Sequence, residues 1–292
     1  MTTGQRRPPS GPLESSDNRC LQSDCAMMDG ADLEMDEPNE QATMRCEPKS
    51  EVESEVESEK CSQLAPNYRK HIITSVIRMK LAKMRHLVVK GLFSHVYLQS
   101  LFPEIIRNFN SQHVMYNGGV AKVSSWKISS YLEVMNGCVP TTSPNLSLLE
   151  TCRPLLKMCD DVFAVWYQQQ HPRSNQHEAT FKRIMTFITR YTPLPGEDSL
   201  LKHVDGAGKV DGSLVLALPM DDSESWDGFG GGLRFWDGHP QREIKYDTRC
   251  GDVGFIDRMV WHQADPITKG IRWALVIFYN VAWSKMHVTQ PD

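Results

Sequence analysis

The chain has 292 residues, a formal net charge of -4 and eight cysteines. That length allows one large domain or two small ones, and the mild acidity argues against a nucleic-acid binder, which usually carries a clearly basic domain. The longest nearly apolar run, 273–283, is interrupted by Asn280 and falls far short of the roughly 20 residues a membrane helix needs.

Composition changes near residue 66. The stretch 1–66 is rich in Ser, Glu, Asp, Pro and Gln, and all seven Trp lie beyond Lys90. A segment of such low hydrophobicity cannot bury enough apolar area to offset the entropy of ordering, so a disordered acidic tail is expected there. Its Val-Glu-Ser-Glu duplication at 52–59 reads as a solvated spacer. Cys20, Cys25, Cys46 and Cys61 fall in the tail and Cys138, Cys152, Cys159 and Cys250 in the body, without CxxC pairs or framework spacing. Reduced thiols follow, and with no apolar stretch after Arg6-Arg7 a soluble cytoplasmic or nuclear protein is expected.

The body begins with 68–90, where Arg69, Lys70, Arg78, Lys80, Lys83 and Arg85 alternate with apolar residues. Ile73, Val76, Ile77 and Leu81 fit one helical face, and the basic side is either a solvated edge or a surface for an acidic partner or membrane. The run 87–93 reads as a strand, and Ser94 as the N-cap of a helix through Leu98, Leu101, Ile105 and Ile106. Asn117-Gly118-Gly119 marks a turn and 140–144 a loop, with Trp126, Ile128 and Tyr131 between them as a strand or an irregular edge. Over 146–170, Leu149, Cys152, Leu155, Leu156, Cys159, Val162, Phe163 and Trp166 recur at spacings of three and four, which predicts a long helix.

After His171-Pro172 the pattern becomes extended. Strands are predicted over 181–191, 214–218, 233–236, 243–246, 253–256 and 273–281, separated by turn signals. The expected fold is mainly β with flanking helices, an all-β sandwich or jelly-roll core over 181–284 preceded by a mainly helical part over 67–180 and followed by a short tail, 285–292. The helices are expected on one face of the larger sheet.

Within this core stands His203-Val204-Asp205, then His262 fifty-seven residues past Asp205, then Arg272 ten residues on. In an extended segment the two ends of an HxD tripeptide share a side. Two imidazoles and a carboxylate can occupy one face of an octahedral Fe(II) and leave positions open, and a nearby guanidinium can clamp a distal carboxylate bidentately. The plain reading of the same residues is a surface His203–Asp205 pair and an ordinary, partly buried His262.

From about residue 90 onward the chain resembles the prolyl 4-hydroxylase-like branch of the Fe(II)/2-oxoglutarate dioxygenases. The resemblance rests on Arg190-Tyr191 at a strand end before the HxD, the apolar run 214–218, Gly231-Gly232 ahead of Phe235, and Gly251-Asp252 ahead of Phe255. It closes with His262, Pro266, Gly270 and Arg272 in the order and spacing of that family's last motif. It implies a double-stranded β-helix, with His203, Asp205 and His262 as iron ligands, Arg272 on the 2-oxoglutarate C5 carboxylate and Tyr191 hydrogen-bonded to the cosubstrate. It further implies O2 as second cosubstrate, ascorbate as reductant, and hydroxylation of a C–H bond on a protein or peptide residue such as proline. A free amino acid or other small molecule as substrate, or a catalytically silent binding module, stays open. Trp261 and Trp273 are expected to be packing residues, Lys269 a solvent-facing turn residue, and the acidic loop 221–227 either plain solvated loop or a selector of basic substrates.

Overall fold

The computed structural model describes residues 63–109, 127–133, 144–173, 177–193, 200–208, 210–219, 231–267 and 270–285. The expected acidic tail, the turn at 117–119, most of the loop 140–144, the acidic loop and Lys269 lie outside the described residues.

Three helices and nine strands are described: α1 (Tyr68–Leu81), β1 (His86–Val89), α2 (His95–Asn108), β2 (Lys127–Glu133), α3 (Leu146–Gln170), β3 (His177–Tyr191), β4 (Gly212–Ala217), β5 (Leu233–Asp237), β6 (Arg242–Tyr246), β7 (Val253–Asp257), β8 (Trp261–Ala264) and β9 (Arg272–Lys285). A six-stranded sheet runs β1-β7-β4-β9-β3-β2 and a three-stranded sheet β6-β5-β8, with every strand pair antiparallel. The part expected to be mainly helical therefore also supplies β1 and β2, the two edges of the large sheet.

α3 covers the residues its periodicity predicts, from an Asn145 cap whose Oδ1 accepts the Leu148 N–H at 3.1 Å. It packs on the large sheet through rings: Phe163 stacks on Tyr279 at 3.8 Å and Trp166 on Phe255 at 5.4 Å. All four are fully buried, and each such side chain stabilises the fold by about 1.5–3 kcal/mol. Gly212 at the head of β4 lets Phe163 approach, since a Cβ there would meet its ring at 2.9 Å. At the same helix–sheet contact, Arg183 joins Glu133 of β2 at 2.7 Å and Asp160 of α3 at 2.5 Å, and Tyr279 donates to the same Asp160 at 2.9 Å.

Two local expectations need correction. α1 buries Ile72 and Val76, while Ile77 and Leu81 are 52% and 82% exposed, so its apolar stripe is turned about one residue from the face read off the sequence. The packed face runs Ile72, Val76 and Met79, at i, i+4 and i+7, with Met79 and Ile73 only partly buried. The strand read over 87–93 ends at Val89, because Lys90-Gly91 turns with Gly91 at φ +56°. Asp252 holds that turn by accepting the Gly91 N–H at 2.8 Å and the Lys90 ammonium at 2.9 Å.

Candidate metal and cosubstrate site

β8 alternates its side chains, so that Trp261 points outward and His262 inward. His203 pairs directly opposite His262: the two residues exchange both backbone hydrogen bonds at 2.9 Å and so add a fourth, one-residue rung to the small sheet. Directly paired residues present their side chains on one face. The two imidazoles accordingly lie 4.4 Å apart between centroids.

Asp205 does not continue the extended run that an HxD tripeptide suggests. It opens a 3-10 turn over Asp205–Gly208, with Gly206 at φ +55°, and the turn rather than strand alternation brings its carboxylate back. Asp205 Oδ1 stands 3.6 Å from His203 Nε2 and 3.5 Å from His262 Nε2, and one ligand atom from each of the three residues lies within 4.8 Å of the others.

The rings are oriented from behind. His203 Nδ1 lies 2.8 Å from the Leu201 carbonyl and His262 Nδ1 3.0 Å from the Val260 carbonyl. A carbonyl only accepts, so each Nδ1 carries the proton, and a neutral ring then turns an unprotonated Nε2 toward Asp205. The second carboxylate oxygen, Oδ2, accepts the Ser213 hydroxyl at 2.5 Å. Without a metal the rings can also be protonated at Nε2; burial would then raise the Asp205 pKa, but the His262 charge and the hydrogen bonds of both imidazoles hold it well below the usual carboxylate range. Burial likewise opposes protonation of His262, and the Asp205 carboxylate outweighs it and shifts that imidazole upward. One oxygen and two nitrogens are thus preset around a point that suits a divalent cation of the imidazole–carboxylate class.

These groups border a cavity of about 480 Å³ between the two sheets. Arg272 and Tyr191, the other residues singled out in the sequence, line it too, and they are register partners on β9 and β3. The guanidinium lies over the Tyr191 ring at 5.4 Å and is buried. It also donates a long hydrogen bond, 3.4 Å, to the Gly232 carbonyl, and among the described residues no carboxylate pairs with it. Burial pushes its pKa down, with Tyr191 and Asp265 opposing. A buried cation without a counter-ion is costly unless an anion completes it. Gly231, at φ +78°, makes room here, because a Cβ would stand 3.2 Å from Arg272 Cδ.

Reasoning from the sequence missed the support around the ligands. Ser213 sits on β4 with no motif to announce it. His86 is buried behind Phe235, stacked on it at 4.1 Å, and its Nδ1 lies 2.8 Å from Asp237 Oδ2 while its Nε2 lies 3.1 Å from the Tyr246 hydroxyl. Phe235 is the register partner of His262, so this network closes the sandwich behind that imidazole. Trp261 is not the packing residue expected: it is 42% exposed, and Lys202 places its ammonium over Trp236 at 4.3 Å and over Trp261 at 5.6 Å. Trp273 does pack, edge-on to Phe102 and Phe109.

No family model matches the chain, and no curated protein does. Solved structures do. A prolyl-4-hydroxylase from Pseudomonas putida superposes with a TM-score of 0.50 at 17% identity, over 72% of this chain and 99% of that one. A prolyl hydroxylase from Trichoplax adhaerens, in complex with a hypoxia-inducible-factor oxygen-degradation-domain peptide, gives 0.51 at 14% identity, over 73% and 90%. A non-heme α-ketoglutarate-dependent epimerase from nogalamycin biosynthesis gives 0.51 at 11% identity, over 76% and 92%. The chain has the jelly-roll fold of the Fe(II)/2-oxoglutarate oxygenases, prolyl 4-hydroxylases among them. Its His-Asp-His cluster fits an iron ion.

Proposed function

We propose that the protein is an Fe(II)- and 2-oxoglutarate-dependent dioxygenase that hydroxylates a C–H bond of a protein or peptide residue such as proline. The observation that carries this reading is one cavity with a preset two-imidazole, one-carboxylate cluster and a buried guanidinium that pairs with no carboxylate among the described residues. His203 Nε2, Asp205 Oδ1 and His262 Nε2 would hold the metal. Bound there, Fe(II) supplies the redox chemistry that couples decarboxylation of 2-oxoglutarate by O2 to hydroxylation, with ascorbate keeping the metal reduced.

The chain's own residues bind and orient. Arg272 receives the distal carboxylate of the cosubstrate, with Tyr191 flanking it and Gly231-Gly232 leaving room. Val215, Leu233, Ala264 and Val276 line the cavity with apolar surface that excludes water from the reacting groups. Ser213 fixes the Asp205 carboxylate so that Oδ1 faces the metal.

A second reading keeps the chemistry and makes the substrate a free amino acid or other small molecule. The cavity volume favours it, since about 480 Å³ lies within the range of small-ligand sites. The test is succinate formation from 2-oxoglutarate by purified protein with Fe(II) and ascorbate, lost in His262→Ala. Equal succinate formation by that variant would remove the metal assignment. Mass spectrometry of a peptide library and a metabolite mixture, searched for one added oxygen atom, separates the two substrate readings.

A further inference from the structure

The cavity contains a second cation that the metal and the cosubstrate do not use. Lys127, the first residue of β2, is the register partner of Tyr191, which is in turn the partner of Arg272. The three form a row across three strands, with the Lys127 and Arg272 backbones about 10 Å apart by strand spacing. Lys127 is half-buried and lines the cavity, and its ammonium rests over the Phe187 ring at 5.7 Å. No carboxylate pairs with it among the described residues, and the one described acid that lines the cavity is the ligand Asp205.

Beside Lys127 the wall is aromatic. Tyr131 and Phe187 are register partners with rings 5.3 Å apart, and Phe278 meets Phe187 edge-on at 5.8 Å, with Met185 next to it. Faces and edges of this kind receive a flat or cyclic apolar group.

We propose that the substrate half of this cavity takes an apolar ring that bears a carboxylate, the ring against Tyr131, Phe187 and Phe278 and the carboxylate on Lys127. The proposal rests on the 2-oxoglutarate reading, because Arg272 is then occupied by the cosubstrate and Lys127 remains for the substrate. The carboxylate belongs either to a free acid or to an acidic residue adjoining the target ring in a peptide.

The experiment uses full-length protein with Mn(II) in place of Fe(II), saturated with 2-oxoglutarate, and reads paramagnetic broadening of ligand proton resonances. In one arm the probes are 3-phenylpropanoate and its amide; in the other, capped Ala-Pro-Asp-Ala and Ala-Pro-Asn-Ala. In at least one arm the acid is expected to bind about tenfold more tightly than its neutral counterpart. Lys127→Met removes that preference and Lys127→Arg restores it. Acid and neutral probes that bind equally in both arms overturn the proposal. So does a Lys127→Met protein that weakens 2-oxoglutarate and leaves the acid preference intact, since Lys127 would then serve the cosubstrate. Failure of wild-type protein to bind Mn(II) and 2-oxoglutarate at all, read first by water-proton relaxation, would instead remove the oxygenase reading beneath it.

Discussion

Ser213 donates its hydroxyl to Asp205 Oδ2 at 2.5 Å, and Asp205 turns its other oxygen to His203 and His262. The bond spans β4 of the large sheet and the turn after His203, so it ties the metal cluster to the scaffold. Ser213→Ala frees the carboxylate to rotate and is expected to weaken Mn(II) or Fe(II) affinity about 10- to 100-fold. Metal titration of the variant checks this, with thermal unfolding in the absence of metal close to wild type. An unchanged affinity would mean that the turn alone orients Asp205.

On the proposed function, Arg272→Gln leaves the cosubstrate's buried carboxylate without its charged partner, so the 2-oxoglutarate requirement should rise at least about 30-fold. Arg272→Lys keeps the charge and loses the planar fork, and should fall between. The dissociation constant for 2-oxoglutarate in the Mn(II) form reads both. If Arg272→Gln binds as tightly as wild type, the cosubstrate lies elsewhere.

Asp237 accepts N–H groups from Arg85, His86 and Gly238 besides its pairing with His86. Burial raises its pKa, yet the His86 hydrogen bond and these backbone donors bring it down to about 2 from an ordinary 3.8. A carboxylate with a depressed folded-state pKa adds stability above its unfolded value, and that stability drains as pH falls from near 4 toward 2. The contribution is about 2 kcal/mol. Urea unfolding across that range should give Asp237→Asn a lower stability at pH 7 and a shallower loss on acidification. Parallel pH curves for variant and wild type would contradict the assignment.

Two glycines with positive φ should differ in their tolerance of alanine. Gly251 sits at φ +88° with a built Cβ only 2.4 Å from the Phe93 carbonyl oxygen, whereas Gly91 at φ +56° has nothing within 4 Å. Gly91→Ala should cost about 1 kcal/mol for the left-handed backbone alone. Gly251→Ala must also displace a backbone and should cost more than about 3 kcal/mol. Chemical denaturation of the two variants decides it, and similar costs would mean the β7 entry relaxes freely.

Much of the secondary structure was legible in the sequence because periodicity reports burial directly. α3 has fully buried residues at Leu148, Cys152, Leu155, Cys159, Val162, Phe163 and Trp166, a helical repeat that only one long helix satisfies. α1 was read a residue out, since Ile72, Ile73, Val76, Ile77 and Leu81 offer two overlapping apolar faces and only the position of α3 and β1 selects one. Trp261 was misread for a related reason. Its flanking motif suggests burial, but β8 is too short for alternation to be read without knowing that His262 faces inward.

For the site, the types and order of His203, Asp205, His262 and Arg272 in the sequence already point to the metal and the anion of the proposed function. Tertiary structure decided what surrounds them. Ser213, the His86–Asp237 pair, Lys127 and the aromatic wall of Tyr131, Phe187 and Phe278 come from β1, β2, β3, β4, β5 and β9, and they meet because strands distant in sequence are register neighbours. Candidate ligands can be picked out by residue type and order. Orientation and selectivity depend on cross-strand distance, which no single stretch of chain contains.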